Sequence, residues 1–171
     1  PDPAKVNALP AGASPTESFS FTTSDGIASA VAQTYTINVT GANDAPTLDA
    51  ITAGSVADLA NSAALGTIAN LSGTLTGHDV DAGHTLSYGI AGTVTTGDVQ
   101  INGITYNVAQ DGAYGTAYVN VTSGAYVYVP DPAKVNALPA GASPTESFSF
   151  TTSDGIASAV AQTYTINVTG A

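Results

Sequence analysis

Hydrophobic and polar positions alternate along most of the chain, and turn residues break the alternation at short intervals. Asn102-Gly103 and Ser123-Gly124 each separate two alternating runs, which is a strong hairpin signal. A further pair of runs flanks Ser153-Asp154-Gly155. The pattern predicts strands over residues 73–78, 84–90, 98–101, 104–108, 115–121, 125–129, 147–151 and 161–168.

One short helix is expected between the last two hairpins. Asp131 can cap it, Pro132 suits its first turn, and Pro139 stops it, which predicts a helix over residues 133–138. The Ala-rich segment 52–70 fits a strand, a helical turn or a loop equally well. Short strands with turn signals about every 8–12 residues predict an all-β, Ig-like or cadherin-like antiparallel β-sandwich with one short helix per repeat.

An internal repeat defines the domain organisation, since residues 1–42 are identical to residues 130–171. The offset of 129 positions exceeds the about 20–50 residues of a solenoid unit and suits an autonomous domain of about 100–150 residues. We therefore expect tandem repeats, with 43–171 as one complete repeat and 1–42 as the C-terminal part of a preceding one.

The first copy should lack its partner strands. Residues 1–42 carry predicted strands over 18–21 and 32–39, and a lone hairpin is marginally stable in water. Pro130 directly follows a predicted strand, so connectivity favours the second copy as the partner of residues 43–129. The first copy is then expected to fray, or to take part in intermolecular strand exchange.

The chain is strongly acidic, with 13 Asp and Glu residues against two Lys, a net charge of −11 and no Cys. Such a charge disfavours nucleic acid and anionic membranes as partners and favours bound cations. No run of apolar residues is long enough to insert into a membrane. Asp79-Val80-Asp81 and Asn43-Asp44 offer the oxygen ligands that Ca²⁺ prefers, although a single Asp before Gly is more often a turn former.

The order of motifs in 43–171 resembles the VCBS-type, cadherin-like repeats of large repeats-in-toxin (RTX) adhesins of Gram-negative bacteria. The matching motifs are Gly73-Thr-Leu-Thr-Gly-His-Asp-Val-Asp-Ala-Gly83, Thr85-Leu-Ser-Tyr88, Tyr114-Gly-Thr116, Gly124-Ala-Tyr-Val-Tyr128, Glu146-Ser-Phe-Ser-Phe150, Ser153-Asp-Gly155, Thr163-Tyr-Thr-Ile-Asn-Val-Thr-Gly170 and the linker Asn43-Asp-Ala-Pro46. The hairpin over 98–108 is an insertion relative to the family pattern.

The resemblance implies an extracellular, calcium-binding spacer at the bacterial cell surface, strung between a membrane anchor and a distal ligand-binding tip. Its partners would be neighbouring repeats of the same polypeptide. By similarity to cadherin-like junctions, the ligand set at the domain boundary would be Asp79, Asp81, Asp44, Asn43, Asp25 and Glu17. Asp154 and Glu146 would be the counterparts of the last two in the second copy.

Other kinds of site have weaker support. His78 and His84 flank the acidic loop and hint at zinc, but they lie at or near strand ends, where a solvated histidine is the simpler explanation, and no Cys is present to complete such a site. Tyr118, Tyr126 and Tyr128 fit either a sugar-stacking face or cross-strand packing. Four asparagines head glycosylation-type sequons, which we interpret as strand-end sequence.

No nucleophile elbow, phosphate-binding glycine loop or Cys nucleophile is present, so we expect no enzyme. A structural spacer in a secreted, calcium-dependent bacterial adhesin is the favoured function. The alternative is an adhesion module that binds carbohydrate or another cell through its own sheet face.

Overall fold

Extended strands dominate the secondary structure, in agreement with the all-β prediction. The structure is a computed structural model and describes residues 1–28, 30–157 and 161–171. The chain divides into two compact units: one contains Pro1–Asp44 and Val80–His84, and the other contains Ala45–Asp79 and Thr85–Ala171.

The first unit contains a helix and a hairpin. Its elements are α1 (Pro3–Asn7), β1 (Thr16–Phe21) and β2 (Gln33–Asn38). β1 and β2 pair antiparallel, with Phe19 opposite Tyr35. All residues of both strands are exposed, so this hairpin contributes no buried core of its own.

The second unit holds the remaining described strands and one helix. Its elements are β3 (Thr47–Leu48), β4 (Gly54–Asp58), β5 (Leu65–Ala69), β6 (Ser72–Thr74), β7 (Gly77–His78), β8 (Ser87–Ile90), β9 (Thr95–Ile101), β10 (Ile104–Asp111), β11 (Gly115–Val119), β12 (Ala125–Pro130), α2 (Pro132–Asn136), β13 (Thr145–Ser153) and β14 (Gln162–Thr169). The hairpins predicted at Asn102-Gly103, Ser123-Gly124 and Ser153-Asp154-Gly155 are confirmed.

These strands form two five-stranded sheets, with the orders β5-β4-β14-β13-β8 and β6-β12-β11-β10-β9, and β3 pairs with β7. The prediction of an antiparallel arrangement needs one correction, because β4 and β14 run parallel, with Val168 beside Val56. A parallel pair needs a long crossover connection, and here almost the whole unit lies between the two strands.

One hydrophobic core is shared by the two sheets. The Tyr126 ring lies 5.3 Å from Phe150 and 5.2 Å from Tyr164, and Tyr128 lies 5.8 Å from Phe148. Alternate residues of β11, β12, β13 and β14 supply most of this core, because side chains at spacing two point to one face. The buried members are Leu48, Val56, Leu75, Ile90, Ala117, Val119, Tyr126, Tyr128, Val135, Phe148, Phe150, Tyr164, Ile166 and Val168.

The single strand predicted over residues 73–78 is wrong, because this run divides between two sheets. β6 pairs with β12, whereas β7 pairs with β3. Leu75 lies between the two strands; its side chain is buried and its N–H donates to the Gly124 carbonyl at 2.8 Å. Hydrophobic and polar residues keep alternating where the chain passes from β6 to β7, so the sequence pattern alone does not reveal that the two strands belong to different sheets.

The undecided segment 52–70 forms two paired strands, β4 and β5. Gly54 is required at the start of β4, because a Cβ there would lie 2.7 Å from Ile166 Cδ1 and 2.8 Å from the Tyr164 hydroxyl. That hydroxyl donates to the Asn70 carbonyl at 2.6 Å. The segment is thus packed against β14. Because this contact involves a strand far along the chain, the Ala-rich composition of residues 52–70 could not indicate which structure they form.

The predicted helix is present as α2 but ends at Asn136, with Ala137 as its C-cap. Asp131 caps it by accepting from the backbone N–H of Ala133 at 3.0 Å. Asp2 caps α1 in the same way, accepting from Ala4 at 3.1 Å. The local sequence therefore starts the same helix in both copies.

Candidate functional site

Asp154 lies in the turn that follows β13 and has the local role expected of an Asp before Gly. Its Oδ1 accepts from the backbone N–H groups of Ile156 at 2.8 Å and Ala157 at 2.6 Å. The turn fixes the carboxylate at the end of the strand. One oxygen is engaged locally, and the group is half-buried.

A group of three side chains able to hold a metal ion includes this carboxylate. Asp79, His84 and Asp154 each bring one ligand atom to within 4.8 Å of the others. All three are half-buried. Asp79 comes directly after β7, and β7 lies beside the end of β13, since a Cβ on Gly77 would be 3.1 Å from Thr152 Oγ1. The fold therefore brings two carboxylates together from strands that are distant in the sequence.

Asp81, which the sequence analysis grouped with Asp79, has a different partner. Its side chain is 5% exposed, and its Oδ2 accepts from the backbone N–H of Asp44 at 2.8 Å. The Asn43 side chain donates to the Asp44 carbonyl at 3.0 Å. Asn43, Asp44 and Asp81 thus lie together, and Asp81 holds the linker by its backbone.

Glu146 lies at the opposite end of β13 from Asp154. It accepts from the Tyr128 hydroxyl and, at 3.3 Å, from the backbone N–H of Tyr114. Burial, and next the hydrogen bond to Glu146, raise the pKa of Tyr128. Because β13 is nine residues long, the structure does not bring Glu146 and Asp154 together, and Glu146 serves the packing of Tyr128.

The corresponding residues of the first copy, Glu17 and Asp25, are exposed. Asp25 Oδ1 accepts from Ile27 and Ala28 at 2.9 Å each, as in the turn of the second copy. The Ala28 and Ile27 N–H groups lower the pKa of the Asp25 carboxyl, because they stabilise its charged form. Asp25 therefore reproduces the turn of Asp154 and is not among the three clustered side chains.

The two histidines differ in their surroundings. His78 Nε2 lies 3.2 Å from the exposed carboxylate of Asp49, and this Asp was not singled out from the sequence. His84 belongs to the three-residue cluster, whereas the sequence analysis favoured a solvated ring over a metal ligand. Its place five positions after Asp79 in a Gly-containing loop was the available signal.

The tyrosines of the predicted hairpin are mostly part of the core. Tyr126 and Tyr128 are 7% and 1% exposed, so both pack between the sheets. Tyr118 is half-buried, and its ring lies 6.3 Å from Tyr106. Cross-strand and core packing therefore describes Tyr126 and Tyr128.

No protein-family model and no curated protein matches this chain. Within the described part of the chain, every helix is too short or too polar to cross a bilayer.

Proposed function

We propose that this chain is a structural spacer, built on a β-sandwich module that recurs in tandem in a secreted, calcium-dependent bacterial adhesin. Two sheets that share one core support the sandwich, and the identity of 1–42 with 130–171 supports the tandem arrangement. The motif resemblance supports the extracellular, adhesin-type setting.

The observation that carries the proposal is the path of the chain through the second unit. Leu48 enters beside Gly77, at the Thr152 end of β13. The chain leaves after β14, whose Asn167 pairs with Thr145 at the other end of β13. Entry and exit are thus separated by the length of a nine-residue strand, about 26 Å at about 3.3 Å per residue. Each further module adds length to the array, which is what a spacer requires.

Calcium is the proposed ion of the cluster that contains Asp79 and Asp154. Both carboxylates supply the oxygen ligands that Ca²⁺ prefers, and the chain has few cations to neutralise them otherwise. His84 is the residue that favours a second candidate, because imidazole suits zinc and other transition metals. The cluster lies at the entry end of the module, where a bound ion would stiffen the spacer.

The spacer is tested by solution scattering of arrays with increasing numbers of the 43–171 unit in calcium. We expect the maximum dimension to grow by a constant step per unit. Arrays that collapse to a dimension independent of unit number would contradict the proposal. Binding of the single unit to a glycan panel would instead favour the adhesion module.

The ion is tested with a matched pair of substitutions, Asp154→Asn and Asp25→Asn. Each replaces the same turn carboxylate in the same local sequence, and Asp154 is the one that belongs to the cluster with Asp79. Calcium should raise the melting temperature of the intact chain and of Asp25→Asn. At a calcium concentration of one hundred times the dissociation constant, the added free energy of unfolding should be about 2.7 kcal/mol. Asp154→Asn should lose this gain.

Equal melting temperatures of the intact chain in EDTA and in millimolar calcium would contradict a calcium site. His84→Ala separates the two metals. Calcium stabilisation should survive this substitution almost unchanged, whereas a response to zinc would be lost.

A further inference from the structure

Three asparagines of the second unit share one uncommon backbone conformation. Asn61, Asn70 and Asn102 have φ values of 58°, 53° and 51°, in the left-handed region that asparagine tolerates better than most other non-glycine residues. All three residues are exposed. Backbone conformation and access to water are therefore alike at the three positions, so a difference in their chemical reactivity must come from local contacts and from the residue that follows.

Local hydrogen bonds restrain two of these asparagines. The side-chain amide of Asn70 donates to the Ala53 carbonyl at 3.3 Å. The backbone N–H of Ser62, which follows Asn61, donates to the Leu59 carbonyl at 3.1 Å. At each position, one of the two groups that would have to meet for the side chain to react with the next backbone nitrogen is thus held elsewhere.

The approach between these two groups is open at the third asparagine, which precedes Gly103. This is the one Asn-Gly pair in the sequence. Gly103 has no side chain to crowd its nitrogen, and a Cβ built there would meet nothing within 4 Å. In a two-residue hairpin turn the ladder bonds join the flanking residues, here Ile101 and Ile104. The Gly103 nitrogen therefore lies outside the ladder.

We propose that Asn102 is a site of spontaneous deamidation, which converts it to isoaspartate and aspartate. The Gly103 backbone nitrogen loses its proton and attacks Asn102 Cγ, so that a new N–C bond closes a five-membered succinimide ring. The Cγ–Nδ2 bond breaks, and the side-chain nitrogen takes up one proton and leaves as ammonia. Water then opens the ring at either carbonyl. One water is consumed and one ammonia is released, so the reaction needs no oxidant, reductant or enzyme.

The main structural consequence falls on β9. Opening of the ring at the main-chain carbonyl gives isoaspartate, which adds one carbon to the main chain inside the turn. β9 is an edge strand held to the sheet through β10, and its register is regular only from Ile101–Ile104 to Val99–Tyr106. A longer turn no longer fits this register, so β9 loosens. No residue of β9 is among the buried core residues in the described part of the chain, so the core stays folded.

The reaction is tested by incubating the full-length chain at physiological temperature and mildly alkaline pH, followed by peptide mapping with mass spectrometry. Most of Asn102 should convert, mainly to isoaspartate, while Asn61 and Asn70 stay largely intact. Guanidinium chloride should speed conversion of Asn61 and Asn70 by a larger factor than that of Asn102, because it removes their hydrogen bonds. The proposal is overturned if Asn102 persists, or if all three convert at the same rate in the folded chain.

Two variants separate the longer main chain from the added charge. Asn102→Gln should resist conversion, because ring closure would need a six-membered ring. Asn102→Asp carries the charge without the extra carbon, and Asp also tolerates the left-handed conformation. In hydrogen exchange, the incubated chain should lose protection several-fold at the Val99 and Ile101 amides, whereas fresh Asn102→Asp and incubated Asn102→Gln should keep it. Equal losses in the incubated chain and fresh Asn102→Asp would overturn the loosening of β9 by isoaspartate. The inference is independent of the calcium and spacer proposals.

Discussion

The two identical segments, 1–42 and 130–171, adopt the same local structure in different surroundings. Both begin with an Asp-capped helix and continue as a hairpin with the same register, since Phe19 faces Tyr35 as Phe148 faces Tyr164. In one copy the apolar face is exposed, and in the other it forms the centre of the core. Local sequence therefore specifies the hairpin, whereas burial depends on which segment lies opposite.

Connectivity separates the two copies. β12 ends at Pro130, and α2 begins two residues later, so the second copy continues directly from the sheet that it covers. The first copy would reach the same sheet only if residues 40–47, about 23–25 Å when fully extended, spanned the length of β14, about 23 Å at about 3.3 Å per residue. Because the two copies can make identical contacts with that sheet, they differ in the entropic cost of closing the chain that connects each copy to it.

Deleting each copy in turn should give the largest contrast. We expect 43–171 to keep its fold and its melting temperature within a few degrees, because its core lies within that range. Residues 1–129 should not fold as a monomer, since Phe148, Phe150 and Tyr164 are missing from the core. Thermal melts and light scattering measure both. If 43–171 fails to fold, the true repeat is permuted and our domain boundary is wrong.

Truncation of one aromatic side chain in each copy sharpens the comparison. Phe150→Ala should cost about 3–5 kcal/mol, because it removes a fully buried ring. Phe21→Ala should change the free energy of unfolding of the second unit by no more than about 0.5 kcal/mol. Urea denaturation of the two variants gives both values. Equal losses would mean that the first copy contributes to the same core.

A smaller contrast is expected for one hydroxyl. The Tyr164 hydroxyl donates to the Asn70 carbonyl at 2.6 Å, and Tyr164→Phe leaves that acceptor unsatisfied, at about 1–3 kcal/mol. Tyr35→Phe removes a hydroxyl from an exposed ring and should be nearly neutral. Calorimetry resolves this difference in melting temperature.

The loss of stability at alkaline pH should come from the second unit. Burial raises the pKa of Tyr106, Tyr126, Tyr128 and Tyr164, all of which lie in that unit. A raised pKa favours the neutral phenol in the folded state, so this stability is complete below the unfolded pKa of about 10. It is lost as pH rises towards the folded values.

We therefore expect 43–171 and the intact chain to share one alkaline unfolding transition, followed by phenolate absorbance. Two separate transitions in the intact chain, with the larger one absent from 43–171, would instead assign the main loss of stability at alkaline pH to the first copy.

The sequence alone predicted the local features, which are determined by residues close to one another in the chain. The hairpin turn at Asn102-Gly103 has positive φ at both positions, 51° and 80°, which this dipeptide favours. The helix start at Asp131 and the Asp154 turn are local in the same sense. The parallel pairing of β4 with β14 was not predictable, because it joins residues more than one hundred positions apart and leaves no periodic signal.

The candidate site divides in the same way. Asp79 and Asp154 were both singled out, but their meeting depends on β7 lying beside the end of β13. His84 joins them through the loop that follows Asp79. Glu146 was included by similarity, and only the structure places it against Tyr128 at the far end of the strand.

The parallel pair of β4 and β14 determines how the second unit responds to tension. If the array is pulled from both sides, force reaches β4 from its N-terminal side and β14 from its C-terminal side. The two strands are then loaded in opposite directions along their length, and the ladder from Gly54–Ile166 to Ala57–Thr169 is sheared as a whole. Its hydrogen bonds must break together, whereas an antiparallel hairpin pulled from its open end would unzip one bond at a time. Single-molecule pulling should show one high-force step per unit.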